Sequence, residues 1–139
     1  MWTDGETRTY AEECGTMNIM FVTKNRELHT PELTGTILPG VTRDSLLRLA
    51  PKHGLQPVQR RIPMHEVLAK LQTGEITEVF ACGTAAVITP IIGFRGPNDV
   101  DVSVGDETPG KFSMELREHL TGIQYGHMPD YFGWMTKVV

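Results

Sequence analysis

The sequence predicts an α/β fold, and three observations carry that expectation. Short β-branched and aromatic runs, Asn18 to Thr23 above all, alternate along the chain with segments whose apolar residues recur at helical spacing. The stretch from Pro57 to Cys82 repeats this alternation as a strand, a helix and a strand. With 139 residues, 40% of them hydrophobic and 22% charged, the chain is large enough to bury a core as one globular domain.

Polar and apolar residues alternate up to Tyr10, so a first strand is expected there and a second over Asn18 to Thr23, the two bracketing Glu12 to Met17. Arg26 to Thr30 reads as a short strand, followed by a connection from Pro31 to Gly40 with its Pro-Glu and Pro-Gly breakers. Thr42 is a good N-cap and Asp44 suits a first turn, so a helix bearing Leu46, Leu47, Leu49 and Ala50 should run toward Gly54, distorted near its end by Pro51. Pro57 to Ile62 can form a strand. Met64 to Leu71 has helical spacing, and Thr73-Gly74 ends it. Glu78 to Cys82 and Ala86 to Ile92 look like buried strands joined by the small-residue turn Gly83-Thr84-Ala85. Val100 to Val104 alternates as an edge strand, Lys111 to Thr121 is an amphipathic helix, and the tail after Gly122 is rich in Gly and aromatics.

Composition excludes several function classes. A formal net charge of -4 with scattered basic residues gives no electrostatic footprint for nucleic acid. No apolar run approaches the ~20 residues needed to cross a bilayer, and the first residues lack the order of a signal peptide, so a cytoplasmic location is expected. Cys14 and Cys82 sit in apolar surroundings and read as reduced thiols behaving as small hydrophobes, not as a disulfide. His65-Glu66 lacks a second histidine at position 69, where Ala69 stands, so no metal site is expected.

Three segments join small residues to a hydroxyl or carboxylate: Glu12 to Asn18, Leu38-Pro39-Gly40-Val41-Thr42-Arg43, and Ala81 to Ala86. In the second, a Gly ahead of Val-Thr at a helix start presents free backbone N–H groups and a positive dipole end, suited to a phosphate, although the same pattern also serves an ordinary capped helix. In this order, the three segments resemble those of the branched-chain aminotransferases among the class IV, or fold-type IV, pyridoxal-phosphate enzymes. Thr34-Gly35-Thr36-Ile37, Glu75 to Phe80, and Leu120 to Gly126 add to the resemblance, which spans nearly the whole chain.

The resemblance implies the C-terminal, large domain of the class IV fold, a barrel-like mixed sheet with flanking helices, occupying residues 1–139. It implies pyridoxal 5'-phosphate as cofactor, amino-acid and 2-oxo-acid substrates, and a homodimer as the intact enzyme. Glu13 matches the carboxylate that faces the pyridine nitrogen of the cofactor; without the resemblance a solvated strand-end acid is the preferred reading, with Glu12 expected to be the exposed one of the pair. Val41 and Thr42 match the helix-start residues that hold the cofactor phosphate, and Thr84 matches a second phosphate-binding hydroxyl. Ala85 would offer its N–H to the substrate carboxylate. Thr16 matches a position lining that pocket, where a hydroxyl bonded to neighbouring backbone is the other reading.

The departure from the family pattern is an absence. Family members join the cofactor through a Schiff-base lysine some tens of residues before the glutamate, and no lysine precedes Glu13 here. The expectation is therefore a fragment, inactive alone, of an enzyme that transfers amino groups between leucine, isoleucine or valine and 2-oxoglutarate, with the small N-terminal domain missing. Two rivals stand beside it: a non-catalytic remnant that binds phosphate compounds or a partner chain, and a relative among D-amino-acid aminotransferases or aminodeoxychorismate lyases.

Overall fold

The computed structural model describes residues 1–96 and 99–138. One strand organises them. β3 (Met17–Thr23) is buried along nearly its whole length and pairs on one edge with β2 (Ala11–Cys14) at its start and β4 (Glu27–Pro31) at its end. Its other edge carries β6 (Ile76–Gly83), in register from Asn18 opposite Cys82 to Val22 opposite Glu78, with a shift that then sets Thr23 opposite Ile76. β1 (Trp2–Thr3) adds to β2, and β7 (Val87–Ile91) to β6. β5 (Gln56–Arg60) lies parallel to β4, while every other ladder among the described residues is antiparallel. β8 (Gly93–Arg95) and β9 (Asp101–Ser103) form a separate hairpin.

The period of two along a strand divides the core into two layers. Met20 and Val22 of β3 and Phe80 and Cys82 of β6 face one side, where they meet Leu46, Leu47 and Leu49 of α1 (Val41–Leu49) and Leu116, Leu120 and Ile123 of α3 (Lys111–Gln124). Ile19 and Phe21 of β3 and Val79 of β6 face the other, against Val67 and Leu71 of α2 (Met64–Gln72) and Val104 beyond β9. The expected mixed sheet with flanking helices is therefore present.

Four of the departures from the expected boundaries have a clear local reason. Glu12 and Glu13 belong to β2, so only Gly15 and Thr16 make the turn into β3. The expected opening strand is cut to Trp2–Thr3, because the Asp4 carboxylate gathers the chain that follows into a loop. It accepts the N–H groups of Thr7, Thr9 and Tyr10 and the Thr7 hydroxyl at 2.6–2.8 Å. These donors, the Tyr10 N–H first, hold its carboxyl well below the usual carboxylate range. Thr42 is not an N-cap: Gly40 occupies that position in an extended conformation, and Thr42 lies inside the first turn. Pro51 ends α1 at Leu49 instead of distorting its last turn, and Ala50–His53 continue as a 3-10 turn closed by Gly54 at φ 71°.

α3 begins in an unusual way. Its first-turn N–H groups at Phe112 and Ser113 donate to the buried Glu78 carboxylate of β6 at 2.9 and 2.8 Å, and the Ser113 hydroxyl adds a bond at 2.6 Å. A carboxylate at this end meets both the orphan donors and the positive pole of the helix. A Cβ at Gly110 would lie 2.1 Å from Glu78 Cδ, so only glycine lets the acid approach. Glu78→Ala should lower stability by about 2–3 kcal/mol, through buried donors left without an acceptor, as measured by urea unfolding; a loss within error of zero would mean that water replaces the carboxylate.

On the opposite face Glu66 of α2 binds Arg60 of β5 through both oxygens and Lys70 at 2.8 Å. The Arg60 bonds, followed by Lys70, outweigh partial burial and push its pKa down to about 2 from the ordinary 4.5. Because the folded pKa is the lower one, this stabilisation is full above 4.5 and is lost as pH falls toward about 2. The urea midpoint of the native chain should fall across that window more steeply than that of Glu66→Gln; parallel slopes would remove Glu66 from the acid response.

Candidate functional site

Two turns and one helix start converge at a single end of the sheet. The β3–β6 register sets Asn18 opposite Cys82, which brings the β2–β3 turn at Gly15-Thr16 beside the β6–β7 turn at Thr84-Ala85-Ala86. Gly83 is fitted to this neighbourhood, since a Cβ there would stand 3.1 Å from Met17 Cγ. The connection from Pro31 returns over the same end and delivers the start of α1. Between them lies a cleft of about 280 Å³.

The helix start that opens onto this cleft is uncapped by any side chain. Its first-turn amides therefore keep their hydrogen-bonding capacity, and its dipole presents positive charge to the cleft. α3 is the contrast, with the equivalent positions taken up by Glu78. Leu38 and Val41, 64% and 82% exposed, leave apolar surface at the cleft mouth. Arg43, the third residue of α1, is buried and bonds only neutral acceptors, the Pro31 carbonyl at 2.9 Å and Gln59 Oε1 at 2.8 Å. Burial lowers its pKa, and the charge it carries acts on Cys82, which lines the cleft.

Of the residues expected at a site, Thr16, Val41, Thr42, Thr84 and Ala85 all line this cleft. Glu13 does not line it directly. Its Oε1 accepts the N–H of Leu38, a cleft residue, at 2.9 Å. Glu12 points elsewhere and accepts the Thr36 hydroxyl at 2.7 Å. Asn18, for which the sequence alone points to no role, is 5% exposed, lines the cleft and donates to the Leu38 carbonyl at 2.9 Å. The signal that could have found it is an amide placed inside an otherwise apolar strand. Lys24, Lys52, Lys70, Lys111 and Lys137 are the lysines of the chain, and none lines the cleft.

Residues 6–93 match the pattern of the family described as amino-transferase class IV. This chain belongs to that family. It is 48% identical to a branched-chain-amino-acid aminotransferase of Mycolicibacterium smegmatis over 99% of its own length and 38% of that enzyme's. A Mycobacterium tuberculosis enzyme of the same name is 49% identical over the same shares, and a probable one of Staphylococcus epidermidis 42%. The chain thus spans 38% of the length of these curated relatives. Among solved structures, the Escherichia coli branched-chain amino acid aminotransferase superposes with a TM-score of 0.78 at 29% identity, covering 94% of this chain and 39% of that one. A second solved branched-chain amino acid aminotransferase, complexed with N-(5'-phosphopyridoxyl)-L-glutamate, gives 0.76 at 28% identity, covering 96% and 40%. Among the described residues, no helix is long and apolar enough to cross a membrane, and no group of three or more His, Cys, Asp or Glu side chains is arranged to hold a metal ion.

Both thiols are free, and they differ in exposure. Burial pushes the Cys82 thiol up to about 12, with Arg43 offsetting only part of the effect, whereas Cys14 is half-buried at the end of β2. Alkylation of the native chain near neutral pH should label Cys14 first and spare Cys82 until denaturant is added. Mass spectrometry showing equal labelling would mean that the cleft floor opens.

Proposed function

We propose that residues 1–139 are the C-terminal, cofactor-holding domain of a branched-chain-amino-acid aminotransferase, an enzyme that transfers the amino group of leucine, isoleucine or valine to 2-oxoglutarate. The observation that carries this reading is the convergence of three small-residue segments on one cleft at the uncapped start of α1. The names of the relatives at 41–49% identity supply the substrate class.

The donors fit pyridoxal 5'-phosphate. The amides of Val41 and Thr42, with the hydroxyls of Thr42 and Thr84, form a cradle of uncommitted donors at a helix start, the arrangement that binds phosphate. Pyridoxal phosphate, when bound, supplies an aromatic ring that draws electrons from the substrate α-carbon. Glu13 would hold a proton at the ring nitrogen through the oxygen that Leu38 leaves free. Thr16 and the N–H of Ala85, on the two neighbouring turns, would receive the substrate carboxylate. The buried charge of Arg43 favours an anion at this end.

The group that carries the α-proton is not among the cleft residues, since no lysine lines it. On this reading the lysine and the rest of the substrate pocket come from chain outside these residues, and the whole enzyme is a cytoplasmic homodimer.

The purified chain, mixed with pyridoxal phosphate, leucine and 2-oxoglutarate, should form no glutamate above a no-protein control. A longer protein that contains it should form glutamate, and there Glu13→Ala should cut kcat by roughly 10²-fold or more, the scale on which a positioned proton-holding group acts, with cofactor affinity changed far less. Turnover by the isolated chain would refute the placement of the lysine. Equal losses of turnover and cofactor affinity would refute the role of Glu13.

A further inference from the structure

Leu38 is held at both of its backbone polar groups by two side chains that are themselves cross-strand partners. Glu13 of β2 and Asn18 of β3 stand directly opposite each other in the hairpin. Glu13 Oε1 accepts the Leu38 N–H at 2.9 Å, and Asn18 Nδ2 donates to the Leu38 carbonyl at 2.9 Å. The same carbonyl also accepts the Gly40 N–H at 2.8 Å, which folds the chain into the start of α1. Gly40 packs so closely that a Cβ would stand 2.3 Å from Asn18 Oδ1. Asn18 is buried, so this contact has a fixed geometry and is not a mobile surface bond.

We infer that Asn18 is a positioning residue: with Glu13 it clamps Leu38, and through Leu38 and Gly40 it aims the amides of Val41 and Thr42 into the cleft. This rests on the reading of the α1 start as a phosphate cradle. It adds that the cradle is not a property of the helix alone. A helix N-terminus attracts an anion only if its amides point at the anion, and here the direction is imposed from β3, across the connection from Pro31. The carboxylate assigned to the ring nitrogen and the loop assigned to the phosphate are thereby fixed by one residue, Leu38, so the spacing between the two ends of the ligand is set within the hairpin.

The test uses the isotopically labelled 139-residue chain, titrated with inorganic phosphate at constant ionic strength and followed by amide resonances. In the native chain phosphate should shift the amides of Val41 and Thr42. Asn18→Ala should weaken that binding roughly tenfold, or 1.4 kcal/mol, and speed hydrogen exchange at the Leu38 amide, with exchange at Phe80 in β6 unchanged. Gly40→Ala attacks the same contact from the other side and should weaken binding too, and it answers the question if Asn18→Ala does not fold. In the Asn18→Ala background the Gly40 methyl has room, so the double variant should bind no worse than Asn18→Ala alone. Ser113→Ala, which loosens α3 at a distance, should leave phosphate affinity as it is and so separates positioning from general loss of stability. If Asn18→Ala and Gly40→Ala bind phosphate like the native chain, the clamp is overturned and the cradle stands. If the native chain shows no phosphate shift at Val41 and Thr42, the cradle reading falls and the clamp's function falls with it.

Discussion

The burial of β3 between two strands on one edge and one on the other is the constraint from which the rest of the structure follows. A strand covered on both faces cannot slip by one residue without turning its whole apolar set to the wrong layer. Met20 and Val22 fix the layer of α1 and α3, and Ile19 and Phe21 fix that of α2. The register with β6 then has a consequence beyond packing. Because Asn18 pairs with Cys82, the turns at either end of that pair lie side by side, and residues nearly seventy positions apart in the chain share one cleft.

The two helix starts of the α1–α3 layer meet the same electrostatic requirement by opposite means. α3 is supplied with an anion by its own chain, Glu78, at a position where glycine alone admits it. α1 is left open and aimed at solvent-accessible space, with a buried guanidinium among neutral acceptors nearby. One end is therefore structural and complete. The other is left open, and on the proposed reading it takes an anion from outside.

Much of this was legible in the sequence because it is local. The run Asn18 to Thr23, the helical spacing of Met64 to Leu71 and Lys111 to Thr121, and the paired apolar runs around Gly83-Thr84-Ala85 all gave elements found in the structure within a few residues. The resemblance in three short segments named six residues, five of which line the cleft, with Glu13 one hydrogen bond away from the cleft residue Leu38. What was not legible depends on contacts distant in sequence. Asp4 folds its own loop and so shortens β1, the cap of α1 falls at Gly40, packed against Asn18, and not at Thr42, and Glu78 reads as a strand acid until α3 is laid against it. Asn18 escaped notice for the same reason, as its partner is twenty residues away.

If the open start of α1 takes the proposed anion, its occupancy is linked to folding. An anion that binds only the folded chain adds to its stability by RT ln(1 + [L]/Kd), so the gain grows with ligand concentration without any new protein contact. That gain is concentrated where the ligand's bonds are made, in the first turn of α1 and the loop that leads into it. α3, whose anion is covalently part of the chain, receives none of it directly. The two helices pack against the same apolar layer, yet on the proposed reading only α1 has an anion partner that comes and goes, so the Leu38 to Thr42 segment would be the part of this fold whose local order follows the concentration of a small molecule in the surrounding solution.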